Sequence, residues 1–266
     1  MGPIPLTTLD LALASVLVIL VAASSYYGRL AISKPLLIGG VRTAVQLILI
    51  GLVLEALFAF GRLHWVVLMA MVMLLFAGRE VVARQKRRFA GWWGFGLGTL
   101  AMFMSSFTVT VLALVAIIGP EPWYRPQYAI PLLGMLLGNT MSGVALALEQ
   151  LTQGAWQQRA VIEARLMLGQ RWREAIGDVR REAMRSGMIP TVSGMATAGV
   201  VSLPGMMTGQ ILSGVAPIEA VKYQILVIFL IAAGTGFGTQ LAVGIGSRRL
   251  FDDRERLRLD RLKGDA

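Results

Sequence analysis

Residues 89–120 read FAGWWGFGLGTLAMFMSSFTVTVLALVAIIGP, and no charged side chain interrupts them. A helix needs roughly 20 apolar residues to cross a hydrocarbon core about 30 Å thick, so this run is long enough to span a bilayer. Two further charge-free runs follow, Ser186–Ile218 and Tyr223–Ser247, and no charge separates Arg125 from Glu149. The whole chain agrees with its parts. It is 56% hydrophobic and 15% charged over 266 residues, whereas an ordinary soluble domain carries about 25% charged residues. The fold class expected is an all-α polytopic membrane protein, a single transmembrane domain over residues 1–266.

Working outward from that run, seven apolar segments can be drawn, at roughly 9–30, 36–60, 64–82, 94–118, 127–148, 189–212 and 221–246. Gly78, Arg79 and Glu80 interrupt the end of the third. Seven spans put the termini on opposite sides, and charge assigns them. With the N-terminus outside, the cytoplasmic stretches collect Arg29, Lys34, the group Arg84, Lys86, Arg87 and Arg88, seven arginines between 159 and 185, and seven basic residues from Arg248 to Lys263. That is twenty of the 25 basic residues, against Arg62, Arg125 and Lys222 outside. Such asymmetry is the positive-inside signature. It accounts for the net charge of +10 without a nucleic-acid partner, and membrane lipid is the surface these charges meet. The first span lacks the basic flank of a signal peptide and is too long for its apolar core, so it is expected to stay as an N-out anchor. The outer connections are short, among them GPEPWYRP at Gly119–Pro126.

Several chemistries are excluded by composition. The chain has no cysteine and a single histidine, His64, so thiolate metal sites, cysteine nucleophiles and multi-histidine centres are ruled out. Lys34, Lys86, Lys222 and Lys263 are the only lysines, and none follows a glycine. The phosphate-wrapping loop G-x-x-x-x-G-K-[ST] is therefore missing, and any nucleotide must bind another subunit. Acid–base catalysis has no paired carboxylates or histidines inside the spans, which points away from an enzyme. The chain itself is expected to hold no cofactor.

The one sizeable soluble element is the cytoplasmic stretch 149–188, with a basic tail at 247–266. The stretch has helical composition, is broken by Gly154, Gly169 and Gly177, and is expected to form two or three short amphipathic helices across the membrane surface. Within it lies Glu163-Ala164-Arg165-Leu166-Met167-Leu168-Gly169. This run resembles the Glu-Ala-Ala…Gly loop by which permeases of ABC transporters seat a coupling helix in their ATPase subunits. A short helix with apolar knobs and a glycine hinge suits such docking; a solvated connector on lipid headgroups is the alternative. The resemblance would make Glu163, Ala164, Leu166, Leu168 and Gly169 the coupling residues.

A longer fingerprint follows. Met188-Ile189-Pro190 opens the sixth segment, and Ala198-Gly199-Val200-Val201-Ser202-Leu203-Pro204-Gly205-Met206-Met207-Thr208-Gly209-Gln210 runs on to Pro217 and Lys222-Tyr223-Gln224-Ile225. With Gly134-Met135…Gly138-Asn139-Thr140-Met141 and Arg42…Gln46-Leu47…Gly51, the chain resembles the FetB family over nearly its whole length. These are permease subunits of small bacterial ABC transporters linked to iron export, similar to plant half-transporters of aluminium tolerance. The resemblance implies a homodimer on two copies of a FetA-like ATPase, which binds ATP and Mg, in the bacterial inner membrane, with the path at the permease interface. Glu-Ala-Ala loops are best known from importers, so direction stays open, as does the substrate: iron, another metal or a nucleotide sugar. A secondary transporter or channel without an ATPase is the competing function.

Path candidates follow from polarity within the spans. Pro204 and Gly205 should break the sixth span near its middle, and broken helices at the midplane are where transporters tend to bind substrate. Met206 and Gln210 follow them. Asn139 and Met141 lie beside the Gly134/Gly138 pair, whose spacing admits a close helix neighbour; Asn139 either bonds another helix or lines the path. Gln46 shares a face with Arg42, which either faces the interior or snorkels to the surface. Gly234, Gly236 and Gly238 offer a second close-contact surface. The fourteen methionines read mainly as adaptable packing. Iron prefers carboxylate or imidazole ligands, so a weakly held or ligand-bound cation suits these spans better than a protein cage.

Overall fold

The computed structural model describes residues 7–28 and 32–264; Arg29, one of the basic residues assigned to the cytoplasm, lies outside them. The chain begins with α1 (Thr8–Tyr27), α2 (Ser33–Phe60) and α3 (Leu63–Ala83). Gly78, Arg79 and Glu80 do not end α3 early. After β1 (Arg87–Phe89), α4 (Trp92–Met102) and α5 (Thr108–Leu112) are spliced by π-helical stretches, Phe103–Phe107 and Ala113–Ile118, into one continuous span. Hydroxyls within it bond back one turn, Ser105 to the Ala101 carbonyl at 2.8 Å and Thr110 to the Ser106 carbonyl at 2.7 Å, so backbone oxygens are served without water.

Next come α6 (Pro126–Gln157), α7 (Arg159–Met167), α8 (Trp172–Ala175), α9 (Gly177–Thr197), α10 (Gly205–Leu212) and α11 (Pro217–Arg249). A three-residue strand, β2 (Leu262–Gly264), pairs antiparallel with β1.

Among the described residues six helices are long and apolar enough to cross a membrane. The expected seventh, at 189–212, is not one helix. The amphipathic helix α9 starts twelve residues before that segment, at Gly177, runs through Pro190 and stops at Thr197. The Thr197 carbonyl there gathers the backbone N–H groups of Val200, Val201 and Ser202 at 3.0–3.3 Å, which closes the helix. The backbone becomes helical again only at Gly205, with Pro204 as the extended cap of α10. Hydropathy read the segment as continuous because the interruption, Ala198–Pro204, is itself apolar.

The core sits around α6 and α11. At 32 residues α6 is ~48 Å long, so it overruns a hydrocarbon core of ~30 Å by several turns. Its overrun is what the soluble connector packs on. Ile162 of α7, Ala175 and Ile176, and Val179 and Ala183 of α9 are buried in one cluster with Leu148, Leu151 and Ala155 of α6 and Leu250 and Phe251 beyond α11. The connector is therefore a docked part of the bundle and not a set of helices lying loosely on lipid. Gly154 does not break α6; a Cβ there would sit 2.8 Å from Val179, so the missing side chain seats α9. The tail packs back through Gly264: the strand pair, an Arg87 guanidinium 4.0 Å from the Trp156 ring and a bond from Thr152 to the Arg87 carbonyl at 2.8 Å close this basic end.

Backbone meets backbone where Gly143 of α6 crosses Gly187 of α9. A Cβ at Gly187 would lie 2.7 Å from the Gly143 carbonyl oxygen, and one at Gly143 would lie 2.9 Å from the Gly187 oxygen. Gly234 and Gly238 of α11 meet Thr140 of α6, the close contact expected of that triplet. The Gly134/Gly138 pair is divided: a Cβ at Gly134 would lie 3.2 Å from Met73 Cε of α3, while no neighbour lies within 4 Å of one at Gly138. By contrast α1 packs on α2, and α2 is largely exposed along its length, anchored through Leu57.

Candidate functional site

Two cavities beside α6 hold residues expected in the path. The first, about 580 Å³, lies between α2, α3 and α6 and is walled by apolar side chains with Arg42, Gln46 and Glu80 in its lining. Helical spacing places Gln46 one turn from Arg42. The Arg42 guanidinium meets Glu80 Oε1 on the neighbouring helix at 2.9 Å, near the end of α3 that leads into Arg84, Lys86, Arg87 and Arg88. Met69, Met73 and Met141 supply thioethers, and Gly134 and Gly138 leave the wall bare. The pair that the sequence marks as a packing seam thus forms the floor of a cleft.

The second cavity, about 510 Å³, lies between α6, α10 and α11 and is lined by Tyr128, Met135, Met206, Gln210 and Tyr223 among others. The Gln210 side-chain oxygen is buried without a hydrogen-bond donor among the described residues. Above it, the Pro204 carbonyl accepts from both the backbone N–H and the hydroxyl of Thr208, at 3.1 and 3.2 Å. The unwound stretch is exposed at Val200 and Val201.

The path residues expected from sequence are therefore not brought together. Gln46 and Met141 line the first cavity, Met206 and Gln210 the second, and Pro204 and Gly205 begin α10. Asn139 lines neither; it is exposed and donates to the Met135 carbonyl at 2.8 Å. Met69 and Met73 carry no local signal on α3, and Glu80 reads in sequence, with Glu55, only as a carboxylate near the end of a span. Among the described residues no three histidine, aspartate or glutamate side chains converge.

The coupling residues are better grouped. Glu163, Ala164, Leu168 and Gly169 are exposed, whereas Leu166 packs against the core. Leu168 is 84% exposed and its neighbour Met167, also missed, 83%. Gly169 has φ +87°, and the Gln170 N–H returns to the Arg165 carbonyl at 3.1 Å, a helix-ending turn that favours glycine. The chain then doubles back into α8. Arg165 holds this corner: it pairs with Asp178 at 2.7 Å and donates to the Ala175 carbonyl at 3.3 Å. That hydrogen bond, with the arginine's charge behind it, holds the Asp178 carboxyl below its ordinary value. Trp172 lies against Phe251, with ring centroids 5.6 Å apart, and its backbone N–H donates to Glu255 at 3.0 Å. Two apolar knobs thus stand out on a braced corner.

Comparison with known proteins agrees with this architecture. The model of an uncharacterised protein family, UPF0014, matches residues 8–251. The chain belongs to the UPF0014 family. It is 40% identical to the UPF0014 membrane protein slr1647 of Synechocystis over 84% of this chain and 85% of that one. It is 32% identical to the probable iron export permease protein FetB of Escherichia coli over 97% of each chain. The Arabidopsis protein ALUMINUM SENSITIVE 3 is 32% identical over 84% of this chain and 80% of its own length. No solved structure matches. The protein is a multi-pass membrane protein of this family, and its relatives are named as membrane proteins or as a permease.

Proposed function

We propose that this chain is the permease subunit of an ATP-driven metal exporter in the bacterial inner membrane, with iron as the substrate. Two copies form the path and sit on two copies of a FetA-like subunit that binds ATP and Mg. The observation that carries this function is the corner between α7 and α8: Met167 and Leu168 present apolar side chains to water on a turn fastened to α6, α9 and the tail. Exposed knobs on a rigid base suit a partner's groove, and the likeness to the iron export permease says which kind of partner and substrate to try first. The basic end faces the cytoplasm on the charge asymmetry. Gln46, Met141, Met206, Gln210, Pro204, Gly205 and Asn139 serve a cation held weakly by amides and thioethers, in hydrated or ligand-bound form.

Co-expression with the ATPase subunit tests the partnership. The two should co-purify, and L168D or M167D should release the ATPase while the permease keeps its melting temperature. Failure of the native pair to associate overturns the assignment. In vesicles, Fe(II) should stimulate ATP hydrolysis; stimulation by a nucleotide sugar and not by iron overturns the substrate. A second function, a proton-coupled carrier without an ATPase, is favoured by one observation: Glu80 is an ionisable group inside a cleft among spans. Transport by the permease alone, driven by a pH gradient and lost in E80Q, would establish that function instead.

A further inference from the structure

Where α11 ends, a cavity of about 510 Å³ is lined by Trp93, Arg248, Arg249, Asp252, Asp253 and Arg261, with Ile245 at its rim. A second cavity, about 310 Å³, shares Trp93 and Ile245 and continues along α4 past Trp92, Gly96 and Leu97 to Leu100. The first is cationic and the second apolar.

The charges in the first are not evenly spent. Asp252 accepts the backbone N–H groups of Arg254 and Arg256 and the Arg256 guanidinium. Asp253 is fully exposed and reaches Arg248 at 3.2 Å. Arg261 donates to the Arg249 and Phe251 carbonyls at 2.8 and 3.2 Å, which fixes it at the end of α11; its charge is felt by the adjacent Asp260, but it forms no ion pair among the described residues. Arg249 stacks 4.5 Å over the Trp93 ring and pairs with no carboxylate among the described residues. Two guanidinium groups of the lining are thus held in place without an ion-pair partner.

The apolar half decides the ligand class. From Trp92 to Leu100 the groove follows α4 for ~12 Å. Trp92 and Leu100 are exposed on its wall, and Trp92 opens a spanning helix, where tryptophans mark the membrane–water boundary. A free phosphate or a nucleotide would use the arginines and leave the groove idle.

We infer that this site binds an anionic phospholipid, its phosphate between Arg249, Arg261 and Arg248 and an acyl chain along Trp92 to Leu100. Basic pockets at the ends of spanning helices take such headgroups. The lipid would bridge the tail to α4, fixing the last turn of α11 against the span.

Native mass spectrometry of the delipidated protein in an uncharged detergent tests this directly. Phosphatidylglycerol should bind at least about tenfold tighter than phosphatidylcholine. R249Q should abolish that preference and R248Q reduce it, while R181Q, which removes the same charge elsewhere on the basic end, should leave it intact. W92A should weaken long-chain phosphatidylglycerol and leave a short-chain analogue unaffected. Equal binding of the two lipids, or an unchanged preference in both R249Q and R248Q, overturns the site. Displacement of bound phosphatidylglycerol by inorganic phosphate at matching concentration, with W92A silent, overturns the lipid and leaves a phosphate site. Protection of the cavity by the ATPase subunit in place of lipid likewise overturns it.

Discussion

Adding one methyl group at Gly187 tests the packing of the bundle. At its crossing with α6, the new Cβ would lie 2.7 Å from the Gly143 carbonyl oxygen, 2.9 Å from Ala147 Cβ and 2.9 Å from Thr239 Cγ2. Ordinary contact begins near 3.4 Å, so α9 must retreat by about 0.7 Å from α6 and α11 together. Two of the three obstacles are a backbone oxygen and a Cβ, neither of which can turn away. Overpacking of this kind costs about 1–3 kcal/mol, and alanine's better helix propensity returns about 0.5–1 kcal/mol. Central values leave G187A about 1 kcal/mol less stable, with about 2.5 kcal/mol as the upper bound, or roughly 2–4 °C in melting temperature per kcal/mol for a chain of this size. G138A has the opposite forecast, because nothing lies within 4 Å of its Cβ: it should be neutral or gain up to about 1 kcal/mol. Tryptophan-fluorescence melting of both variants in the same detergent measures the contrast. G187A within about 1 °C of the parent, or G138A falling further than G187A, refutes the assignment of the close crossing.

Three further expectations follow from the site. G169A places a Cβ in the left-handed region, at about 1–2 kcal/mol; hydrogen exchange should rise at the end of α7 and the melting temperature should fall by roughly 2–8 °C, and unchanged exchange there would count against a glycine-dependent turn. E80Q removes one partner of an ion pair that is half exposed at Arg42, so its stability effect should be about 0–1 kcal/mol, and metal-stimulated ATP hydrolysis should hold, because the proposed path uses amides and thioethers; a fall in turnover without a melting loss would bring Glu80 into the path. The Asp178 carboxyl is held below its ordinary value, so its contribution is complete above that value and is lost as pH drops below about 4. The α7–α8 corner should loosen there, read by exchange rates, and D178N should be loose at every pH; identical acid profiles would remove Asp178 from the corner.

The sequence carried the membrane class, the reach of most spans and the Gly169 turn, since each rests on local composition. It did not carry relations between distant segments. Gly134 and Gly138 have the spacing of a packing seam, yet Gly143 and Gly187 make the contact, because the partner's position decides which glycine faces a backbone. Gly154 reads as a breaker alone and becomes a seat once Val179 stands over it. The interruption at Ala198–Pro204 is masked by its own apolar residues, and the π-helical stretches change neither hydropathy nor period enough to be seen. Gln46 and Gln210 read as polar residues within spans; that they line different cavities beside α6 depends on the order in which helices pack.

The length of α6 has a mechanical consequence. One unbroken rod carries the first cavity on one flank, the second on another, and beyond the membrane the buried partners of the protruding corner. The α6 walls of the two cavities lie roughly 100° apart around the helix, so a displacement applied at Leu168 that moves this rod as one body is predicted to alter both volumes at the same step. Spin-label distances across each cavity, measured through a turnover cycle, should change together in time; cavities that open and close independently would mean that α6 bends, and that force is lost before it reaches the spans.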